Sequence, residues 1–131
     1  MKKQSLLNAE IIREIAALGH TEYFCIADCG LPIPKQTKVI DISVVSGIPS
    51  FLDVLDAVCS ELVVESIILA QEINTANPQL AESVRTCVGH LPKEMVSHEE
   101  FKEKTTKAKC IIRTGEASPY ANILLVGGVN F

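Results

Sequence analysis

The sequence predicts an α/β fold, a single domain with a largely parallel sheet flanked by helices in Rossmann-like layering. Three observations lead there. Short apolar runs alternate with segments whose apolar residues fall at helical spacing. Gly- and Pro-containing turns separate the two kinds of segment. The 131 residues, 47% of them hydrophobic, suit one domain over residues 1–131 with a core of its own. No internal repeat or low-complexity linker divides the chain.

The elements follow in order. Residues 9–18 carry Ile11, Ile15 and Leu18, with Ile12 and Ala16 alongside, as a helical stripe. Asn8 is placed to cap its start, and Gly19 to end it in the left-handed conformation. Tyr23 to Ala27 is an apolar run fit for a buried strand, and Gly30-Leu31-Pro32-Ile33-Pro34 can continue neither regular structure. Val39 to Val45 reads as a second strand, closed by Gly47 and Pro49. Ser50 then caps a helix with Phe51, Leu55, Val58 and Leu62 on one face. A third strand spans Val63 to Ala70. Asn77-Pro78 opens a helix whose stripe is Leu80, Val84, Cys87, Val88 and Leu91. Glu94 to Val96 is a short extended piece, and residues 98–107 form a polar helix. Cys110 to Arg113 and Ile123 to Val126 complete the strands.

Composition excludes several functions. A net charge of −4 lacks the electrostatic footprint of a nucleic-acid binder. The Lys102 to Lys109 stretch, broken by Glu103, reads as a solvated helix face. No apolar stretch approaches the roughly 20 residues that cross a bilayer, so no membrane role is expected. Asn8 and Glu10 interrupt the apolar run after Lys2 and Lys3, which argues against a signal peptide. Five cysteines, an odd number set mostly among apolar neighbours, fit a reducing cytoplasm. Mean hydropathy is positive, high for a small soluble monomer, and the surplus fits the interfaces of a homo-oligomer. Cys25 and Cys29 are not a C-x-x-C pair, and His90 and His98 stand isolated, so no metal site is expected. Neither a G-x-G-x-x-G nor a Walker A loop is present, and no cofactor is expected.

Four polar residues draw attention because ligands of such sheets bind beyond the carboxyl ends of the strands. Asp28 ends a predicted strand, and His98 follows another. The turn-rich link Thr114 to Asn122 offers the phenol of Tyr120 and the amide of Asn122 near the same ends. His20, in Leu18-Gly19-His20-Thr21, follows a helix and precedes the strand that Asp28 closes. An acid and a base held on rigid ends suit proton transfer. Each residue also has an ordinary reading. His20 could cap a helix end, Asp28 could bond the amides of the Gly30 turn, and His98 could be an N-cap. Tyr120 could pack in the core, and Asn122 could serve the turn. Their joint placement carries the functional case.

The residues that carry a resemblance are Met1-Lys2-Lys3, Leu6-Leu7-Asn8-Ala9-Glu10-Ile11, Leu18-Gly19-His20-Thr21, Ile26 to Pro34, and Arg113-Thr114-Gly115-Glu116-Ala117-Ser118-Pro119-Tyr120-Ala121-Asn122. With these the chain closely resembles the D-ribose pyranase (ribose mutarotase) family, to which the fucose mutarotases are related. Cys29 stands where many relatives carry alanine, and Glu22 where many carry aspartate. The resemblance implies a cofactor-independent isomerase that interconverts the pyranose and furanose forms of free D-ribose. It implies His20 as proton donor, and Asp28, His98 and the stretch Tyr120, Ala121 and Asn122 as sugar-binding residues. A ring-built oligomer, a decamer with sites close to subunit contacts, is implied as well. Two rivals stay open at this point: a mutarotase acting on fucose or another monosaccharide, and a non-catalytic sugar-binding accessory protein.

Overall fold

The computed structural model describes residues 1–3 and 5–131. Helix α1 (Ala9–Ala17) leads into strand β1 (Tyr23–Ala27), and β2 (Val39–Asp41) precedes α2 (Phe51–Cys59). Strand β3 (Val64–Ala70) is followed by the one-turn α3 (Ile73–Ala76) and by α4 (Pro78–Val88). Then come β4 (Lys93–Val96), α5 (His98–Thr105), β5 (Ala108–Arg113) and β6 (Ile123–Gly127). The six strands form one sheet in the order β2-β5-β1-β6-β3-β4. All neighbours are parallel except β6, which runs antiparallel to both β1 and β3 at the middle of the sheet. The predicted α/β architecture is therefore present, with one reversed strand at its centre.

Strand alternation sorts the core onto two faces. Phe24 and Ile26, Ile67 and Leu69, and Ile123 and Leu125 pack with residues of α1, α2 and α4. Cys25 and Ala27, Ile68 and Ala70, and Leu124 and Val126 face Phe101 of α5 and Leu31 of the loop after β1. Both faces are buried along β1, β6 and the Ile67–Ala70 half of β3, so these stretches read as continuous apolar runs. All five cysteines are free. Burial pushes the Cys59 thiol up to about 11 and that of Cys110 to about 12.

The caps form as the sequence suggests at two places: Asn8 Oδ1 accepts from the Ile11 amide at 3.0 Å, and Ser50 Oγ from that of Asp53 at 3.1 Å. Five expectations differ. Gly19 does not end α1 in the left-handed conformation; Leu18 closes the helix with extended backbone. Glu22 Oε2 takes the Gly19 amide at 2.8 Å, and the positive φ falls on Thr21, at 68°. A side chain closes this turn in place of a glycine. Strand β2 ends at Asp41 rather than at Val45, because Asp41 Oδ1 accepts the Ser43 amide at 3.0 Å and turns the chain. Leu62 lies beyond α2, which ends at Cys59, Leu91 lies beyond α4, which ends at Val88, and α3 was not expected.

Residues 44–48 instead form a small loop closed by a Val45–Ile48 bridge, with Val44, Val45 and Ile48 exposed. Its backbone lies against Gly115, whose amide donates to the Pro49 carbonyl at 2.9 Å. A Cβ at Gly115 would sit 2.2 Å from the Ile48 carbonyl oxygen, so only glycine fits there. Gly115→Ala is predicted to destabilise the protein by about 1–3 kcal/mol, the range for forced overpacking, read as a lowered thermal midpoint at fixed protein concentration.

Candidate functional site

The strand registers set the site. Ile26 of β1 lies beside Ile123 of β6, Ile123 beside Leu69 of β3, and Ala70 beside Val96 of β4. One row of residues therefore leaves the sheet together: Asp28 after β1, Asn122 before β6, Glu72 after β3 and His98 after β4.

Asp28 and Asn122 are locked to each other. Asn122 Nδ2 donates to Asp28 Oδ2 at 3.0 Å, and the Asp28 amide donates to Asn122 Oδ1 at 2.9 Å. Asp28 Oδ1 accepts the Gly30 amide at 2.9 Å, so the ordinary turn role expected of this residue is real and is combined with a second one. Asn122 is buried, and its amide oxygen and nitrogen are both engaged. Each Asp28 oxygen accepts one bond and keeps a further lone pair. The link from β5 to β6 is pinned from beneath. Thr114 Oγ1 donates to the Ala27 carbonyl at 2.8 Å, and Glu116 Oε1 accepts the first amide of α2, that of Phe51, at 3.1 Å. Asn77 Nδ2 donates to Ser118 Oγ at 3.0 Å and to the Pro119 carbonyl at 2.9 Å.

Held this way, Tyr120 adopts φ 57°, rare for a bulky side chain. Its carbonyl accepts the Asn122 amide at 2.9 Å, and its ring meets the His98 ring edge-on with centroids 5.0 Å apart. Strained backbone of this kind persists where surrounding bonds over-determine it, often at functional sites. Ser97, not His98, caps α5; its Oγ accepts the Glu100 amide at 3.1 Å. His98 is left with its side chain free of capping duty. Ala121 is fully buried among the core residues facing α1, α2 and α4, so its side chain serves packing while its neighbours carry the polar groups.

His20 is elsewhere. It precedes β1 while Asp28 follows it, and the five residues of β1 alone span roughly 13 Å at about 3.3 Å per residue. The pairing of His20 with Asp28 within one chain is thus not formed, because an extended strand carries its two ends apart. The His20 ring instead meets Glu65 at the start of β3, Nε2 to Oε2 at 2.8 Å, with both side chains about half exposed. It does not cap α1. Thr21 anchors this corner by donating its amide to the Gly127 carbonyl at 2.8 Å. The neighbouring Glu22 carboxyl is held below its usual range by the Gly19 amide first and by Lys109 second. A cavity of about 480 Å³ opens here, lined by His20, Ile12, Ile15, Leu18, Leu62 and Val63 among others. It lies at the opposite end of the sheet from Asp28.

Among the described residues, the buried side-chain polar atoms without a hydrogen-bond partner are Glu72 Oε2, His98 Nδ1 and Arg113 Nε. All three belong to residues at the end of the sheet where Asp28 stands. Two acidic residues of this arrangement, Glu65 and Glu72, were not singled out from the sequence. Only strand register brings them to His20 and His98, and no local spacing signals that. Among the described residues no three His, Cys, Asp or Glu side chains gather so as to hold a metal ion. No helix among them is long and apolar enough to cross a membrane.

Comparison with known proteins gives one consistent answer. A D-ribose pyranase of Geobacillus thermodenitrificans is 56% identical over 131 residues, covering 100% of this chain and 99% of the relative. One from Bacillus cytotoxicus is 53% identical over the full length of both. The solved structure of Bacillus subtilis RbsD complexed with D-ribose superposes with a TM-score of 0.96 at 43% identity, over 100% of each chain. A fucose mutarotase from Streptococcus pneumoniae, solved with L-fucose, shares the fold with a TM-score of 0.81 at 24% identity, over 95% of this chain and 94% of that one. The model of the RbsD / FucU transport protein family matches residues 1–130. With its fold, its signature stretches and its relatives in agreement, the chain belongs to the RbsD / FucU family.

Proposed function

We propose that this protein is a D-ribose pyranase, an isomerase that interconverts the pyranose and furanose forms of free D-ribose without a cofactor. The observation that carries this reading is the row of fixed polar groups at one sheet end, where Asp28, Asn122, Tyr120 and His98 stand beside buried polar atoms that still lack partners. A polyol supplies such partners. The full-length identity to relatives named D-ribose pyranase supports ribose as the sugar.

The chemistry asks for a proton delivered to the ring oxygen and one removed from the anomeric hydroxyl. The ring opens to the aldehyde, the chain rotates and a different hydroxyl recloses it. If the spontaneous rate is on the order of 10⁻³ per second, the barrier is roughly 21 kcal/mol. General acid–base help of about 10²–10⁴-fold removes roughly 3–5 kcal/mol of it. In our reading His20 is the acid, with Glu65 orienting its ring. His98 is the complementary base, since Asp28 is already committed to the Gly30 amide and the Asn122 side chain while His98 Nδ1 has no partner. Asp28, Tyr120 and Asn122 fix the sugar, and their unmatched hydrogen bonds reject the wrong one.

An acid at one end of the sheet and a binding row at the other meet only if a second copy brings them together. We therefore place the complete site between copies, His20 of one against the Asp28 row of the next. Exposed Val44 and Val45 beside Cys29 and exposed Ile48 against Gly115, near one end of that row, and exposed Val63 and Val129 beside His20, give both ends apolar surface for a head-to-tail contact, which forms a ring when the rotation between copies closes. The decamer implied by the resemblance fits this contact, and the five free cysteines fit a cytoplasmic location.

Proton NMR exchange on D-ribose, with D- and L-fucose in parallel, tests the activity. Saturation transfer between pyranose and furanose signals is expected with ribose when protein is added. Response to fucose alone moves the substrate to fucose, and silence with ribose bound favours a binding protein. His20→Ala is predicted to lower exchange by about 10²–10⁴-fold with the circular dichroism spectrum unchanged; wild-type-like exchange in that folded variant removes His20 from the mechanism. Glu65→Gln is predicted to cost about fivefold at most, the scale of a half-exposed ion pair, measured in the same exchange assay.

A further inference from the structure

We propose that Glu72 contacts the substrate directly, its Oε2 accepting a hydrogen bond from a sugar hydroxyl. The inference rests on the ribose pyranase reading and extends the site to a residue outside the Asp28, His98 and Tyr120–Asn122 set. Glu72 occupies the N-cap position of α3, yet its carboxylate makes no bond to that helix. It reaches across to α5 instead, where Oε1 accepts the His98 amide at 3.1 Å. Ser97 Oγ serves the Glu100 amide, so Glu72 fills the place at the helix start that the N-cap side chain leaves open. Negative charge at this end is also favoured by the helix dipole.

The second oxygen has no such use. Glu72 Oε2 is buried without a hydrogen-bond partner, and so is His98 Nδ1. A buried acceptor left unpaired is costly, and a carboxylate more than a neutral group. Proteins retain such atoms where a ligand completes them. The registers put these two side by side: Ala70 pairs with Val96, so two residues further on Glu72 stands level with His98. Tyr120 closes the third side through its ring contact with His98. An ionised carboxylate oxygen can only accept, whereas a neutral imidazole nitrogen donates or accepts according to tautomer. Together they match two hydroxyls of a polyol, one donating to Glu72 and one exchanging with His98. An apolar ligand, or an anion repelled by the carboxylate, finds no counterpart there.

Glu72→Gln keeps an acceptor for the His98 amide and removes the charge. Binding by calorimetry is measured on this variant and on wild type, with ribose and with the four monodeoxy analogues of the ribopyranose ring, and exchange kinetics by NMR with ribose alone, because the 1-deoxy and 4-deoxy sugars lack a hydroxyl that the exchange requires. Loss of a hydrogen bond to a charged group is expected to raise Kd and KM about tenfold to a hundredfold, with kcat changed far less. One analogue, lacking the hydroxyl that Glu72 takes, is expected to lose affinity in wild type and to lose no more in the variant, the signature of direct pairing. Wild-type affinity in Glu72→Gln overturns the proposal. So do losses that add for all four analogues, since Glu72 then acts only by holding His98. If Glu72→Gln does not fold, Glu72→Asp, shorter by one methylene, is expected to show the same analogue-specific loss, and its absence there overturns the proposal equally. Wild type that neither binds nor exchanges ribose defeats the ribose reading itself and this inference with it; normal wild-type activity beside an unaffected variant defeats this inference alone.

Discussion

The paired hydrogen bonds between Asp28 and Asn122 are the joint on which the rest of the site depends. They tie the end of β1 to the start of β6, the one strand that runs against its neighbours. Because β6 lies antiparallel between β1 and β3, its leading loop opens at the end of the sheet where all the parallel strands finish. A parallel strand in that place would have presented its other end there. The reversal thus puts Tyr120 and Asn122 between Asp28 and His98. Asn122 is buried with both polar atoms of its amide engaged, so the joint is satisfied as well as specific.

The same reversal sends the other end of β6 toward His20. Gly127 accepts the Thr21 amide there, and a Cβ on Gly127 would lie 2.7 Å from the Gly19 carbonyl oxygen. One strand therefore organises both ends of the sheet and keeps the two groups of polar residues apart. Hydrogen-bonding capacity remains open at one end, while an imidazole beside a carboxylate stands at the other next to a cavity of mixed polar and apolar lining. Under the proposed function, neither end alone holds both the acid and the binding row. This division is the physical argument for assembly, and it is independent of hydropathy.

Much of this was legible in the sequence. Alternating apolar runs and stripes located every strand and each helix longer than one turn, and the polar link before Ile123 lies at the sheet end that the sequence singles out. Asp28, His98, Tyr120 and Asn122 stand out in the sequence because strand ends are where such sheets bind ligands, and the structure sets them at one end of the sheet. The partners Glu65 and Glu72 were not, since their roles arise from register between strands far apart in the chain. Gly19 misled for a related reason: a glycine after a helix usually takes the left-handed turn, and here the Glu22 carboxylate closes the corner instead. The nearness of His20 to Asp28 in sequence also misled, because the seven residues between them include a whole strand, which separates groups as surely as it connects them.

The central claim is that the site is built from opposite ends of two copies. Mixing tests it most directly. His20→Ala and Asp28→Ala proteins, each inactive alone, are coexpressed or reassembled together and assayed for ribose exchange by NMR. If His20 of one copy serves the Asp28 row of another, roughly a quarter of the sites in a random mixture are intact, and exchange returns to about that fraction of wild type. A mixture that assembles normally and stays as inactive as its components contradicts the account.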